Sequence, residues 1–213
     1  MDFIAQNIID YAEGYSQAES SVLKELNRET NAKVLQPRML SGHLQGRVLS
    51  MFSKMISPKN ILEIGTYTGY SAICLAEGLA ANGQLYTIDI NEELAEMANS
   101  YFKKAGFDTK ITHLVGDALE IIPTLDQQWD LVFIDADKAN YCNYFDATID
   151  RLNKGGFIIA DNVLWSGKVL EKIKSGDKDT AALVEFNDKV HNDNRVENLL
   201  LPIRDGLMIL RKL

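Results

Sequence analysis

The stretch Ile61-Leu62-Glu63-Ile64-Gly65-Thr66-Tyr67-Thr68-Gly69-Tyr70-Ser71 decides how this chain is read. A short apolar run over residues 60–64 has the length of a buried strand, and it breaks into two glycines before a helical pattern begins near Ser71. Gly65 and Gly69 allow turn conformations that other residues resist, and they remove Cβ atoms where a ligand would approach the backbone. The spacing is neither G-x-G-x-x-G nor G-x-x-x-x-G-K-[ST], which disfavours a dinucleotide fold and a phosphate-binding loop.

Working outward, β-rich runs of similar length recur at residues 84–89, 110–115, 129–135 and 157–161. Helical stretches lie between them, for example residues 92–104 and 141–152. Near-continuous apolar strands alternating with helices predict a parallel sheet covered on both faces. Two last strands, residues 196–201 and 207–211, are joined by Pro202-Ile203-Arg204-Asp205-Gly206 and form a hairpin. Upstream, residues 1–56 read as helices, with Ile8, Ile9, Ala12 and Tyr15, then Val22, Leu23 and Leu26, then Leu44, Val48, Leu49, Phe52 and Met55 at helical spacing. The expected architecture is one domain over residues 1–213, a helical cap (1–56) followed by an α/β core (57–213). Residues 166–180 form a polar, lysine-rich stretch, read as a solvated loop or as a lid or dimer contact.

A formal net charge of −8 disfavours non-specific binding to nucleic acid or anionic membrane, leaving only a local basic patch open. Hydrophobic residues at 46% and charged residues at 24% are ordinary for a globular chain. No apolar run approaches the ~20 residues that cross a bilayer, and Met1-Asp2-Phe3-Ile4-Ala5-Gln6 does not start a secretory signal. The two cysteines, Cys74 and Cys142, form no C-x-x-C or Cys/His cluster, so a reducing cytoplasm is the expected compartment.

Asp89 closes the second strand run, where a carboxylate accepts hydrogen bonds from both hydroxyls of a ribose. Glu63 adds a carboxylate beside the glycine turn, suited to a cation rather than a pyrophosphate. A ligand with a ribose, an amino group and no phosphates matches S-adenosylmethionine better than a dinucleotide. Gly116-Asp117-Ala118 after the third strand borders the same crevice, with Asp117 as a helix cap the competing reading.

The fourth and fifth strand runs end in Asp135-Ala136-Asp137-Lys138 and Asp161-Asn162. If the two strands are neighbours, Asp135, Asp161 and Asn162 converge at one sheet edge. Two carboxylates and an amide form a hard oxygen set that suits Mg²⁺, Ca²⁺ or Mn²⁺ and leaves about three octahedral positions for other oxygens. Without a cation the carboxylates repel. The plainer alternative is that these residues end strands, cap helices and form a surface ion pair.

With these segments, and with Asp161-Asn162-Val163-Leu164-Trp165-Ser166-Gly167 and Asp205-Gly206-Leu207, the chain resembles the cation-dependent O-methyltransferases. That family includes caffeoyl-CoA and catechol O-methyltransferases and many small bacterial relatives. The resemblance implies a class I methyltransferase fold with a mostly parallel seven-stranded sheet, and a homodimer. It implies metal ligation by Asp135, Asp161 and Asn162, and cofactor contacts from Ser41, Glu63, Gly65, Thr66, Ser71, Asp89, Ala118, Asp137 and Tyr144. Lys138 stands at the family's catalytic lysine, as a base or as an electrostatic stabiliser. Ser166 replaces an asparagine that contacts substrate in the plant enzymes, and the plant-type N-terminal extension is missing; both departures bear on CoA-thioester specificity. The expected acceptor is a phenolic small molecule with vicinal hydroxyls, walled by Trp165 and Tyr144. Methylation of a hydroxyuridine in tRNA is the rival reading, and a non-catalytic cofactor-binding protein the more distant one. His43, close to the cap's cofactor segment, reads as structural or exposed, and His113 and His191 have no partner in the sequence.

Overall fold

The computed structural model describes residues 4–213, so Met1, Asp2 and Phe3 of the expected cap lie outside the described residues. The cap contains α1 (Gln6–Gly14), α2 (Ser21–Lys33) and α3 (Gly42–Ile56). The core then runs β1 (Asn60–Ile64), α4 (Tyr70–Ala76), β2 (Gln84–Asp89), α5 (Ala95–Lys104), β3 (Ile111–Val115), α6 (Ala118–Ile121), β4 (Trp129–Ile134), α7 (Tyr141–Ile149), β5 (Leu152–Ala160), α8 (Lys178–His191), β6 (Val196–Leu201) and β7 (Leu207–Lys212). Among the described residues no helix is long and apolar enough to cross a membrane.

The seven strands form one sheet in the order β3-β2-β1-β4-β5-β7-β6. β1 pairs in parallel with both β2 and β4, so the strand order reverses there. β7 is antiparallel to β6, as the hairpin composition predicts, and also to β5. Successive residues of a strand face opposite sides, and here both sides are covered. Leu62, Val132 and Ile158 pack with Tyr141, Phe145 and Phe186 on one face. Ile61, Leu131 and Ile159 pack with Leu26, Leu49, Leu75 and Phe102 on the other. Each such side chain, fully withdrawn from water, contributes roughly 1.5–3 kcal/mol.

Three expectations change. Residue 152 is not helical: Leu152 begins β5 opposite Trp129, and the pairing then skips to Leu131 with Phe157. Gly155, with φ +80°, makes the bulge that absorbs the extra residues. The loop after Asp161 is shorter than read, because α8 begins at Lys178 with Asp177 accepting from the Thr180 amide. In α3 the buried face carries Gln45, Gly46, Leu49, Ser50 and Ser53, while Met51 and Met55 are exposed. The reason is closeness. A Cβ on Gly46 would lie 2.6 Å from a ring carbon of Tyr70, so small residues let α3 press against α4.

Candidate active site

The strand tips at the reversal point are tied in sequence by ladder bonds that continue past the strands. Gly65 N–H donates to Ile88 O, Asp135 N–H to Ile64 O and Asp161 N–H to Ile134 O, each at 2.9 Å. Asp135 and Asp161 therefore leave neighbouring strands side by side, facing the turn that Gly65 makes. That turn has φ +102° at Gly65, where a Cβ would stand 2.0 Å from the Asp135 carbonyl oxygen. A Cβ on Gly69 would meet the Phe102 ring at 2.6 Å. The protein's own packing therefore requires both glycines, whatever ligand the turn also borders.

A cleft of about 1660 Å³ opens outside these tips. Ser41, Gly65, Thr66, Ser71, Asp89, Ala118, Asp137 and Tyr144 line it, as do Asp135, Lys138, Asp161 and Asn162. Of the residues expected at the site, only Glu63 does not. Its side chain is fully buried, accepts from Thr87 Oγ1 at 2.5 Å, and leaves Oε1 without a hydrogen-bond partner among the described residues. Burial pushes its carboxyl up to about 8, against the opposing pull of hydrogen bonds from Ser71 and Thr87. Thr66 joins the same chain through its hydroxyl, 2.5 Å from that of Thr87.

On the β2 side, Asp89 is oriented by two backbone donors, Tyr67 N–H at 2.7 Å and Asn91 N–H at 2.9 Å. Its remaining lone pairs are free to take hydroxyl donors. Asp117 caps α6 by accepting from Leu119 N–H, while Ala118 faces the cleft, so both readings of that segment describe part of it. Asp137 accepts from the Tyr144 hydroxyl and from Asn140 Nδ2.

The β4–β5 side is charged. Lys138, only 8% exposed, donates to Asp135 Oδ1 at 3.2 Å, to Asn162 Oδ1 at 3.0 Å and to the Tyr141 hydroxyl at 2.5 Å. The Tyr141 hydroxyl in turn donates to the Asp161 carbonyl at 2.9 Å. Three donations are the full complement of an ammonium. The lysine thus holds a positive charge where the Asp135 and Asn162 oxygens converge. Asp161 is buried, and burial, then the nearby Asp135, push its carboxyl up to about 7 while Gln45 and Lys138 pull it down. Asn162 has φ +60°, a left-handed conformation that asparagine tolerates better than most residues.

Among the described residues no group of three or more His, Cys, Asp or Glu side chains is placed to hold a metal. The set here is two carboxylates and one amide. It fits a hard divalent ion in donor type, and the ammonium between two of its oxygens marks a place that already holds positive charge.

Trp165 and Tyr144 both line the cleft. His43 bonds the Gln17 carbonyl at 2.8 Å while also lining the cleft, and both ring nitrogens of His113 lack partners among the described residues, beside the Phe102 ring. Gln45, Arg204, Tyr141 and Thr87 were not singled out in the sequence. A legible signal existed for one of them: Gln45 is a polar side chain one turn from Ser41 and one from Leu49, on the face the helix buries.

The O-methyltransferase family model matches residues 13–213. The caffeoyl-CoA O-methyltransferase of Medicago sativa is 38% identical over 208 residues, 92% of this chain and 83% of that protein. Caffeoyl-CoA O-methyltransferase 1 of Nicotiana tabacum is 37% identical over 211 residues, 92% and 86% of the two chains. Among solved structures, the O-methyltransferase TomG of Streptomyces achromogenes, in complex with S-adenosylmethionine, superposes with a TM-score of 0.90 at 27% identity, covering 97% of this chain and 96% of that one. The Bacillus cereus O-methyltransferase in complex with S-adenosylhomocysteine gives 0.91 at 28% identity, with 97% of both chains covered. With this sheet order, this cleft and these relatives, the chain belongs to the O-methyltransferase family, S-adenosylmethionine-dependent enzymes of the class I methyltransferase fold.

Proposed function

We propose that this chain transfers the methyl group of S-adenosylmethionine to one hydroxyl of a vicinal dihydroxy aromatic molecule, with Asp135, Asp161 and Asn162 holding a divalent cation, Mg²⁺ first among candidates. The observation that carries the reading is the meeting of Asp135 Oδ1 and Asn162 Oδ1 on one ammonium, beside buried Asp161, within a cleft shared with Asp89 and Gly65.

A divalent cation bound there supplies Lewis acidity that lowers the pKa of a phenol, ordinarily near 10. The chain's own residues do the rest. Asp89 takes the ribose hydroxyls, and the Asp137–Tyr144 pair borders the cofactor. Lys138 has its three donors engaged, so in this arrangement it acts as a fixed positive charge that stabilises a phenolate, and the phenol's proton leaves to solvent water rather than to the lysine. Tyr141 keeps it there. Trp165 walls the acceptor side, and the loop 162–167 is held by Asp205, whose carboxylate accepts from Ser166 N–H at 2.5 Å. Transfer then needs the phenolate oxygen in line with the sulfonium methyl, and the main contribution of the fold is that positioning.

Excess EDTA is expected to abolish methyl transfer to a catechol and added Mg²⁺ to restore it; undiminished turnover in chelator rejects the metal assignment. The same reading takes the enzyme to be a homodimer, which sedimentation velocity checks.

A further inference from the structure

Asp161 is held from outside its own strand. Gln45, on α3 and 1% exposed, donates from Nε2 to Asp161 Oδ2 at 2.6 Å. Gln45 Oε1 accepts from Arg204 Nη1 at 2.8 Å. Arg204 lies in the loop between β6 and β7, with a left-handed φ of +50°. Its guanidinium also donates to the Ser41 and Leu40 carbonyls. The other carboxylate oxygen, Asp161 Oδ1, accepts from Asn162 N–H at 2.7 Å.

The direction of this chain is not arbitrary. A guanidinium has donors and no acceptor, so the amide oxygen of Gln45 must face Arg204. Its NH₂ is then forced toward Asp161. A carboxylate with one donor on each oxygen has lost its freedom to rotate, and it presents its remaining lone pairs in one direction. Ser41 is expected at the cofactor and Asp161 at the metal, and Arg204 grips the first while reaching the second through Gln45.

We infer that Gln45 and Arg204 are positioning residues for Asp161, and that Arg204 sets the cofactor end and the metal end of the cleft relative to one another. This rests on the metal reading above. Side chains hydrogen-bonded to a metal's ligands change the metal's affinity about 10- to 100-fold when lost.

The test is Mn²⁺ titrated into the full chain, followed by the electron paramagnetic resonance of free Mn²⁺, with S-adenosylhomocysteine binding measured separately by calorimetry. Gln45→Leu is expected to bind Mn²⁺ about tenfold or more weakly while its affinity for S-adenosylhomocysteine stays within about twofold. Arg204→Met is expected to weaken both, and Arg204→Lys to recover part of the loss. The double variant is expected to bind Mn²⁺ no more weakly than Gln45→Leu alone, because the two residues act in series. If Gln45→Leu does not fold, Gln45→Asn keeps the amide one methylene short of Asp161 and reads the same reach. A parent enzyme that binds no Mn²⁺ overturns the metal reading and this inference with it. A parent that binds Mn²⁺, with variants that bind it equally well or with losses that simply add, overturns the inference alone.

Discussion

Glu63 at the tip of β1 and Asp161 at the tip of β5 are both buried carboxylates with raised pKa values, about 8 and about 7, yet their surroundings differ in kind. Glu63 sits among hydroxyls, Thr87 and Ser71, and burial dominates its shift. Asp135 and Asp89 raise it further, and its Oε1 is left without a hydrogen-bond partner among the described residues. Asp161 faces a second carboxylate, a lysine, a glutamine held by an arginine, and the amide of Asn162. The comparison separates the two tips by their partners: hydroxyls around Glu63, and around Asp161 a charged network of Asp135, Lys138 and Gln45.

Substitutions separate the two. Asp161→Ala is expected to have the largest effect, a loss of about 10³-fold in kcat/KM, several kcal/mol of transition-state stabilisation. S-adenosylhomocysteine affinity by calorimetry is expected to survive within about twofold. Equal loss of both would erase the distinction between the two ends of the cleft.

Gly65→Ala strikes between the regions, since its Cβ would occupy the Asp135 carbonyl position at a positive φ. Destabilisation of ~3 kcal/mol is expected from strain and overpacking together, read by denaturant melts. An unchanged midpoint would mean that the two tips are less tightly joined than the ladder bonds indicate.

Asp89→Ala is expected to weaken S-adenosylhomocysteine binding about 10- to 100-fold, the worth of hydrogen bonds to a charged acceptor. Affinity equal to that of the parent enzyme would remove the ribose assignment.

The smallest effect is expected for Glu63→Gln, less than ~1 kcal/mol at neutral pH, because an amide replaces a protonated acid. Its pH signature is sharper. A folded-state pKa of about 8 against an ordinary 4.5 means that the folded chain holds the extra proton through that window. The associated stability is full below 4.5 and is lost as pH rises through 8. Melts of the metal-free chain across that range are expected to flatten in Glu63→Gln. An unaltered slope would place the titration elsewhere.

Much of this fold is legible in the sequence. The apolar runs ending in Asp89, Asp135 and Asp161 became β2, β4 and β5, and the Pro202–Gly206 segment became a hairpin connection, because chain-local spacing controls which faces are apolar and where turns begin. The start of β5 was misread, since Leu152 packs on Trp129 across a bulge that periodicity does not encode. The buried face of α3 was also misplaced. Its small and polar residues are there to let another helix approach, and a hydrophobic pattern does not register closeness.

By itself the sequence determined an alternating α/β chain, the residue types that stand at the strand tips and the family. These follow from residue type and from separations of a few positions. Only the tertiary structure decided that Gln45 stands between Asp161 and Arg204, 116 and 159 residues away, and that Lys138 spends its three donors on Asp135, Asn162 and Tyr141. The reason is physical: hydrogen bonds form between groups brought within 3 Å by packing, and packing joins elements whose order along the chain says nothing of which side chains will meet.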